Sequence, residues 1–209
     1  YAEFYEVASG ILDSRKGMAL TRYGDAEFMI MDGHPFGKNT QAWEADKYYF
    51  KGGTSKLGRE LINSLTGMHG KNYYYCAFGW NYFISYFNLI DQTLDKICSS
   101  SIFNDANWPK VRVLLNELIE EEKGKIILFC NKAAKSNKEL FFAQLVIRFP
   151  DNCVYWFEDH GYNYLKMAIE IAKNFSHRLF LFSIGPLSDV FIYHMYKANP
   201  NNRYIDFGS

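Results

Sequence analysis

The sequence predicts an α/β domain of Rossmann-like type, with a mostly parallel central sheet of about six strands and helices on both faces. Three observations predict it. Short apolar runs alternate with stretches whose apolar residues recur at helical spacing. The runs are nearly continuous rather than alternating, as in strands covered on both faces. Polar residues gather just after the runs, where strands of a parallel sheet end at one common edge.

In chain order, residues 2–16 have helical spacing and lead into a strand at 18–22. Thr54 is placed to cap a helix through Leu57, Leu61, Ile62 and Leu65, followed by a strand at 72–78. Residues 81–98 are apolar at helical spacing, and Trp108-Pro109 opens a helix through Val113, Leu114 and Leu118 to the acidic run Glu120–Glu122. Residues 125–130 are the clearest buried strand. Beyond them the pattern predicts helix 136–148, strand 152–157, helix 162–175, strand 178–183, helix 187–198 and strand 203–207. Strands separated by helices imply right-handed crossovers.

The 209 residues suffice for one sizeable core, and no Pro/Gly/Ser linker or charge block divides residues 1–209, which favours a single domain. The chain opens at Tyr1 and stops just after the last expected strand, so it reads as one domain excised from a longer protein. Lys+Arg and Asp+Glu are equal at 23 each. That balance argues against a nucleic-acid partner, which favours a basic excess. No run of 18 apolar residues and no secretory leader is visible. Cys76, Cys98, Cys130 and Cys153 lie far apart, without C-x-x-C or zinc-finger spacing, and read as reduced thiols of a cytoplasmic domain.

The residues after the first strand, Arg22-Tyr23-Gly24-Asp25-Ala26-Glu27-Phe28, carry the most chemistry. In extended chain, residues two apart face the same side, so Asp25 and Glu27 would present their carboxylates to one object. A hard divalent cation fits, because such ions take oxygen ligands and share one or two carboxylates with a substrate phosphate. Acid-x-acid triplets are cheap, and Glu44-Ala45-Asp46 is a second one with no strand before it. A buried strand before the first pair, Gly24 to permit an unusual backbone, and Arg22 as a phosphate clamp raise it above the second. A salt bridge to a neighbouring acid is the alternative role for Arg22.

Near the other end, the strand 178–183 runs through Ser183-Ile184-Gly185-Pro186 into a helix. Free N–H groups and the positive end of that helix suit a diphosphate, with Ser188 adding a hydroxyl; the plain alternative is a tight turn with Pro186 as a good first helical residue. Neither G-x-G-x-x-G nor G-x-x-x-x-G-K-[ST] occurs, which counts against NAD(P) enzymes and P-loop NTPases.

Arg22-Tyr23-Gly24-Asp25-Ala26-Glu27 resembles the R-[FY]-G-D-[GA]-E signature of the GT-D glycosyltransferases, and Ser183-Ile184-Gly185-Pro186 and Ile205-Asp206-Phe207-Gly208 resemble that family's late S-x-G-P and I-D-x-G segments. The match covers residues 18–28 and 178–208. The resemblance implies a Rossmann-like fold, a nucleotide-sugar donor, commonly a UDP-sugar, and a divalent metal, Mn²⁺ ahead of Mg²⁺, held through D-x-E. On that basis Glu27 binds the metal. Asp25 either shares it or accepts hydrogen bonds from the donor, while Arg22, Gly24, Gly185, Pro186, Ser188 and Asp206 line the donor site. The sequence departs from the family at Leu187, where a small polar residue is common, and at Ser209, where His is common.

Glu158, Asp159 and His160 follow the expected strand 152–157 and are the local candidates for a general base, against a solvated loop. His34, His69, His177 and His194 are scattered, as packing or surface residues are. Among the aromatics, Trp80 and Tyr82 are the ones expected nearest ligand, and 33–37 reads as a loop able to close over the donor. The function expected is transfer of a sugar from a nucleotide-sugar donor to a glycan or glycoprotein acceptor, alongside other domains of the same polypeptide. The alternative is a nucleotide-sugar-binding or scaffolding domain without turnover.

Overall fold

The computed structural model describes residues 4–13, 15–35, 50–67, 70–77, 86, 89–90, 96–99, 108–132, 142–150 and 153–207. Seven strands form one sheet: β1 (Met18–Tyr23), β2 (Tyr73–Ala77), β3 (Ile97–Ser99), β4 (Ile126–Asn131), β5 (Ala143–Phe149), β6 (Leu179–Ser183) and β7 (Arg203–Asp206). Their order is β3-β2-β1-β7-β6-β4-β5, and every neighbouring pair is parallel. All strand carboxyl ends therefore share one edge, and the last strand, β7, lies beside the first.

Helices cover both faces. On one side α2 (Asp25–Asp32), α3 (Lys56–Thr66), α6 (Tyr162–Asn174) and α7 (Leu187–Ala198) pack on Ala19, Tyr23, Phe129, Phe182 and Tyr204. On the other, α1 (Phe4–Leu12) and α4 (Trp108–Glu122) pack on Met18, Leu20, Leu128, Leu181 and Ile205. The two sets alternate along each strand, as the pleat requires, and both are apolar, which is why the strands read as continuous runs. Aromatic rings knit neighbouring strands on the first face: Phe129 stacks on Phe182 at 4.7 Å and Phe180 on Tyr204 at 5.0 Å. Each such side chain, fully buried, contributes roughly 1.5–3 kcal/mol.

Several elements differ from expectation. The cap of α3 is Ser55, whose hydroxyl accepts from Gly58 N–H at 2.9 Å, and not Thr54. Residues 97 and 98, expected as a helix end, belong to β3, paired to β2; most of 81–98 lies outside the described residues. Residues 143–148, expected as helix, belong to β5, which pairs with β4 along its length. The strand expected at 152–157 is helical: α5 (Cys153–Trp156) continues into a π-helical turn, Phe157–Gly161, and then α6. Here packing decides against β propensity. Trp156 meets Phe149 edge-on at 5.3 Å and Tyr164 at 4.8 Å, contacts that helical winding creates about two turns along and back to the strand.

Candidate functional site

The site begins where β1 ends. Arg22 pairs with Cys76 of β2 across the sheet, and two residues later Gly24 leaves the strand as the N-cap of α2 with extended backbone (φ −98°, ψ −167°). Gly24 is therefore not needed for an unusual backbone. Its missing side chain matters because a Cβ there would lie 3.0 Å from Glu27 Oε2. Asp25 and Glu27 are the first and third residues of α2 rather than members of an extended segment. In a helix, residues two apart diverge by about 200°, so the acids do not face one object as extended chain would allow.

Each acid caps the helix instead. Glu27 Oε2 accepts from Gly24 N–H at 2.7 Å, and Asp25 Oδ1 from Ala26 N–H at 3.0 Å. Glu27 is buried, while Asp25 is half-buried. Negative charge in a first turn is favoured by the helix dipole, so the fold itself holds these acids at the edge.

The second wall is the turn from β6 into α7. Gly185 has φ +58°, the left-handed region, so glycine is required there. Ser188 is fully buried and turned inward: its Oγ accepts from Ile184 N–H at 3.4 Å, while its own N–H donates to the Gly185 carbonyl at 2.8 Å. Two amides at this end are thus already engaged. Pro186 is buried as the N-cap of α7. Ser188, expected to face a diphosphate, is engaged within the turn itself.

Asp189, in the first turn of α7, was not singled out by sequence, and the structure makes it central. It is fully buried. Its Oδ1 accepts from Arg22 N–H at 2.9 Å, tying α7 to the end of β1, while its Oδ2 has no hydrogen-bond partner among the described residues. Burial pushes its carboxyl well above the usual carboxylate range. The negative charges of Asp206 and then Glu27 push the same way, opposed by the backbone N–H and the charge of Arg22. Asp206 closes β7, buried, in register with Phe182 of β6. Asp189 is thus bonded to Arg22 and lies in the field of Glu27 and Asp206, near the carboxyl ends of β1 and β7. The available signal was an acid four residues after Gly185, in the very turn expected to attract an anion.

Glu158 sits in the π-helical turn, where its Oε1 accepts from Lys56 N–H at 2.5 Å and so caps α3; Lys56 Nζ in turn donates to the Glu158 carbonyl. Asp159 and His160 are exposed. His194 belongs to a different contact, with Glu60 of α3 at 2.9 Å. Trp80, Tyr82, His69, Phe36, Gly37 and the Glu44-Ala45-Asp46 triplet lie outside the described residues.

Among the described residues, no three His, Cys, Asp or Glu side chains are arranged to hold a metal by themselves. The donor chemistry is nonetheless oxygen only, which suits a hard cation that keeps its waters and a substrate phosphate. No helix of the described residues is long and apolar enough to cross a membrane.

No protein-family model matches the sequence, and no curated protein does. Solved structures do match in shape. A glycosyltransferase of the domain of unknown function 1792 from Streptococcus sanguinis superposes with a TM-score of 0.63 at 17% identity, over 99% of this chain and 80% of the other. A structure of that domain described as having a distinct glycosyltransferase fold matches with TM-score 0.58 at 17% identity, covering 98% of this chain and 76% of the other. A selenomethionine-substituted structure of the domain gives TM-score 0.61, again at 17% identity, covering 98% and 76%. The likeness establishes a shared fold. It runs through nearly the whole chain, including the middle, where sequence motifs were absent.

Proposed function

We propose that this chain is a metal-dependent glycosyltransferase that takes its sugar from a nucleotide-sugar donor, a UDP-sugar first among candidates, and passes it to a glycan or glycoprotein acceptor. One observation carries the reading. The helix ends that meet at the sheet's carboxyl edge bear their own acids, Asp25 and Glu27 on α2 and Asp189 on α7, with Asp206 between them. An edge so furnished repels a bare diphosphate and attracts a cation that can bring one in. The fold shared with structures described as glycosyltransferases supports the same class.

In this reading Glu27 holds the metal, Mn²⁺ or Mg²⁺, and Asp25, half-buried at the rim, receives the donor's hydroxyls. The metal supplies charge neutralisation for the diphosphate as it leaves. Arg22 adds positive charge beside the same acids. Gly185 and Pro186 shape the turn that bounds the donor, and Ser188 keeps that turn closed from inside. Glu158 is engaged as a cap on α3, which leaves the acceptor's base to another group.

The test is incubation with a panel of nucleotide sugars in Mn²⁺ or EDTA, measuring released nucleoside diphosphate. Metal-dependent release that Glu27→Gln abolishes, with the fold intact by circular dichroism, is the expected result. Donor binding without release in any condition would instead establish the binding or scaffolding role, and indifference to every donor would remove both.

A further inference from the structure

Cys76 of β2 and Cys98 of β3 meet in a contact that neither the candidate site nor the packing described above puts to use. They are register partners in neighbouring parallel strands, and both belong to the buried layer on the α1 and α4 face. In-register neighbours lie about one strand spacing apart, roughly 4.8 Å, inside the roughly 4.4–6.8 Å between Cα atoms that a disulfide bridges. Their Sγ atoms approach to 2.7 Å, and Cys98 Sγ also donates to the Tyr75 carbonyl at 3.3 Å. A thiol has one proton to give, so with that of Cys98 on Tyr75 the contact between the sulfurs is a hydrogen bond from Cys76 to Cys98. Burial pushes the Cys76 thiol well up, and the hydrogen bond to Cys98 adds to that. The pair therefore rests as two thiols already aligned on each other. Cys130 is the contrast: a buried free thiol of the same layer, its strand separated from β2 by β1, β7 and β6.

We propose that Cys76 and Cys98 are a redox couple that closes to a disulfide, stapling the edge strand β3 to β2. The oxidant is a small-molecule disulfide of the glutathione type. Cys98 is only 2% exposed, so reaction begins when β3 parts from β2. β3 is the outermost strand on its side of the sheet and spans only Ile97–Ser99, so this local opening costs far less than global unfolding. The Cys98 thiolate attacks one sulfur of the reagent, a mixed disulfide forms, and one glutathione thiolate leaves. Re-pairing of β3 in register returns Cys98 to Cys76, whose sulfur attacks Cys98 Sγ, forms the Cys76–Cys98 bond and expels the second glutathione thiolate. Both cysteine protons end on glutathione, so two protein thiols are oxidised as one reagent disulfide is reduced to two thiols. The crosslink joins residues 22 apart in sequence and removes that freedom from the unfolded chain. Cys76 is also the register partner of Arg22, so the staple holds the strand flanking the end of β1; the inference stands without the transferase reading.

The test uses the full chain, folded and equilibrated with oxidised glutathione, then quenched in acid and alkylated with N-ethylmaleimide in denaturant for peptide mass spectrometry. The expected product is one crosslinked pair of peptides carrying Cys76 and Cys98, lighter by two hydrogens and cleaved by dithiothreitol, with Cys130 still alkylated. The oxidised protein should melt roughly 5–10 °C above the reduced one. Cys98→Ser keeps a donor for the Tyr75 carbonyl and should abolish both the crosslink and the oxidant-dependent rise in melting temperature. The mapping on wild type decides the matter should that variant not fold. Cys76 and Cys98 both recovered as alkylated thiols, or each as a separate glutathione adduct, overturns the proposal. So does a Cys76–Cys98 crosslink that forms only in denaturant.

Discussion

Gly24 shows how a single missing side chain serves the candidate site. Its backbone is ordinary extended chain, but a Cβ would press on Glu27 Oε2 at 3.0 Å, the atom that accepts from Gly24 N–H at 2.7 Å. Gly24→Ala should therefore push Glu27 off its cap, at a cost of roughly 0.5–2 kcal/mol in urea unfolding. It should also weaken Mn²⁺ binding if Glu27 is the ligand. Unchanged stability would mean that Glu27 has room to yield. The Arg22–Glu27 segment stood out in the sequence because motif residues are adjacent in the chain. Asp189 did not, since its meaning comes from contact with Arg22, 167 residues away, and from burial that only the folded sheet creates. The shared orientation inferred for Asp25 and Glu27 failed because their own capping bonds start α2 immediately after Gly24.

Among elements, the π-helical turn Phe157–Gly161 depends on its glycine. A Cβ on Gly161 would lie 2.2 Å from Cδ2 of Phe157, whose ring is fully buried in the core. Gly161→Ala should cost about 1–3 kcal/mol as overpacking and, by shifting Glu158, loosen the cap on α3. Thermal unfolding measures the first effect, and hydrogen exchange at Lys56 N–H measures the second. The α3–α7 contact has a pH signature. Glu60 is held below its usual carboxylate range, chiefly by the His194 hydrogen bond and then, against the opposing effect of burial, by that of Tyr162. A depressed native pKa means that the unfolded chain binds the proton first, so this contribution is present in full above the ordinary Glu value of about 4.3 and is lost as pH falls from there through the lower native value. Glu60→Gln should flatten the fall in stability between roughly pH 5 and pH 3, and an unaltered acid limb would contradict the contact. The strongly periodic helices and the buried strands were legible because apolar spacing reports burial directly; α7 occupies 187–198 as the spacing predicts. β5 was not, because it is an edge strand in which Gln144 and Leu145 are exposed, so neither alternation nor a continuous apolar run marks it. The run Cys153–Phe157 was misread because a short aromatic-rich segment suits either a strand or a buried helix, and contacts with Phe149 and Tyr164 decide which.

At the scale of the whole molecule, one helix layer and the sheet are joined at the amino edge by one charged side chain. Arg203, on the central strand β7, is almost fully buried; its Nη2 donates to Glu122 Oε1 at the end of α4, and its Nη1 donates to the Ile11 carbonyl at the end of α1 at 2.7 Å. The guanidinium therefore ties a central strand to both helices of one layer, far from the acids at the opposite edge. Net stability from such a pair is small, because desolvating both charges offsets their attraction; removing one partner is a different matter, since the other remains buried alone. Glu122→Ala should cost about 3–5 kcal/mol in urea unfolding, with no change in donor or Mn²⁺ affinity beyond that due to unfolding. The double variant Glu122→Leu with Arg203→Met should recover most of that loss, limited by the Ile11 carbonyl left without its donor. A single Glu122→Ala variant as stable as wild type would show that water reaches Arg203. Recovery in the double variant would show that the pair orients α1 and α4 on β7 without being the source of the fold's stability, which then lies in the apolar contacts of the two faces.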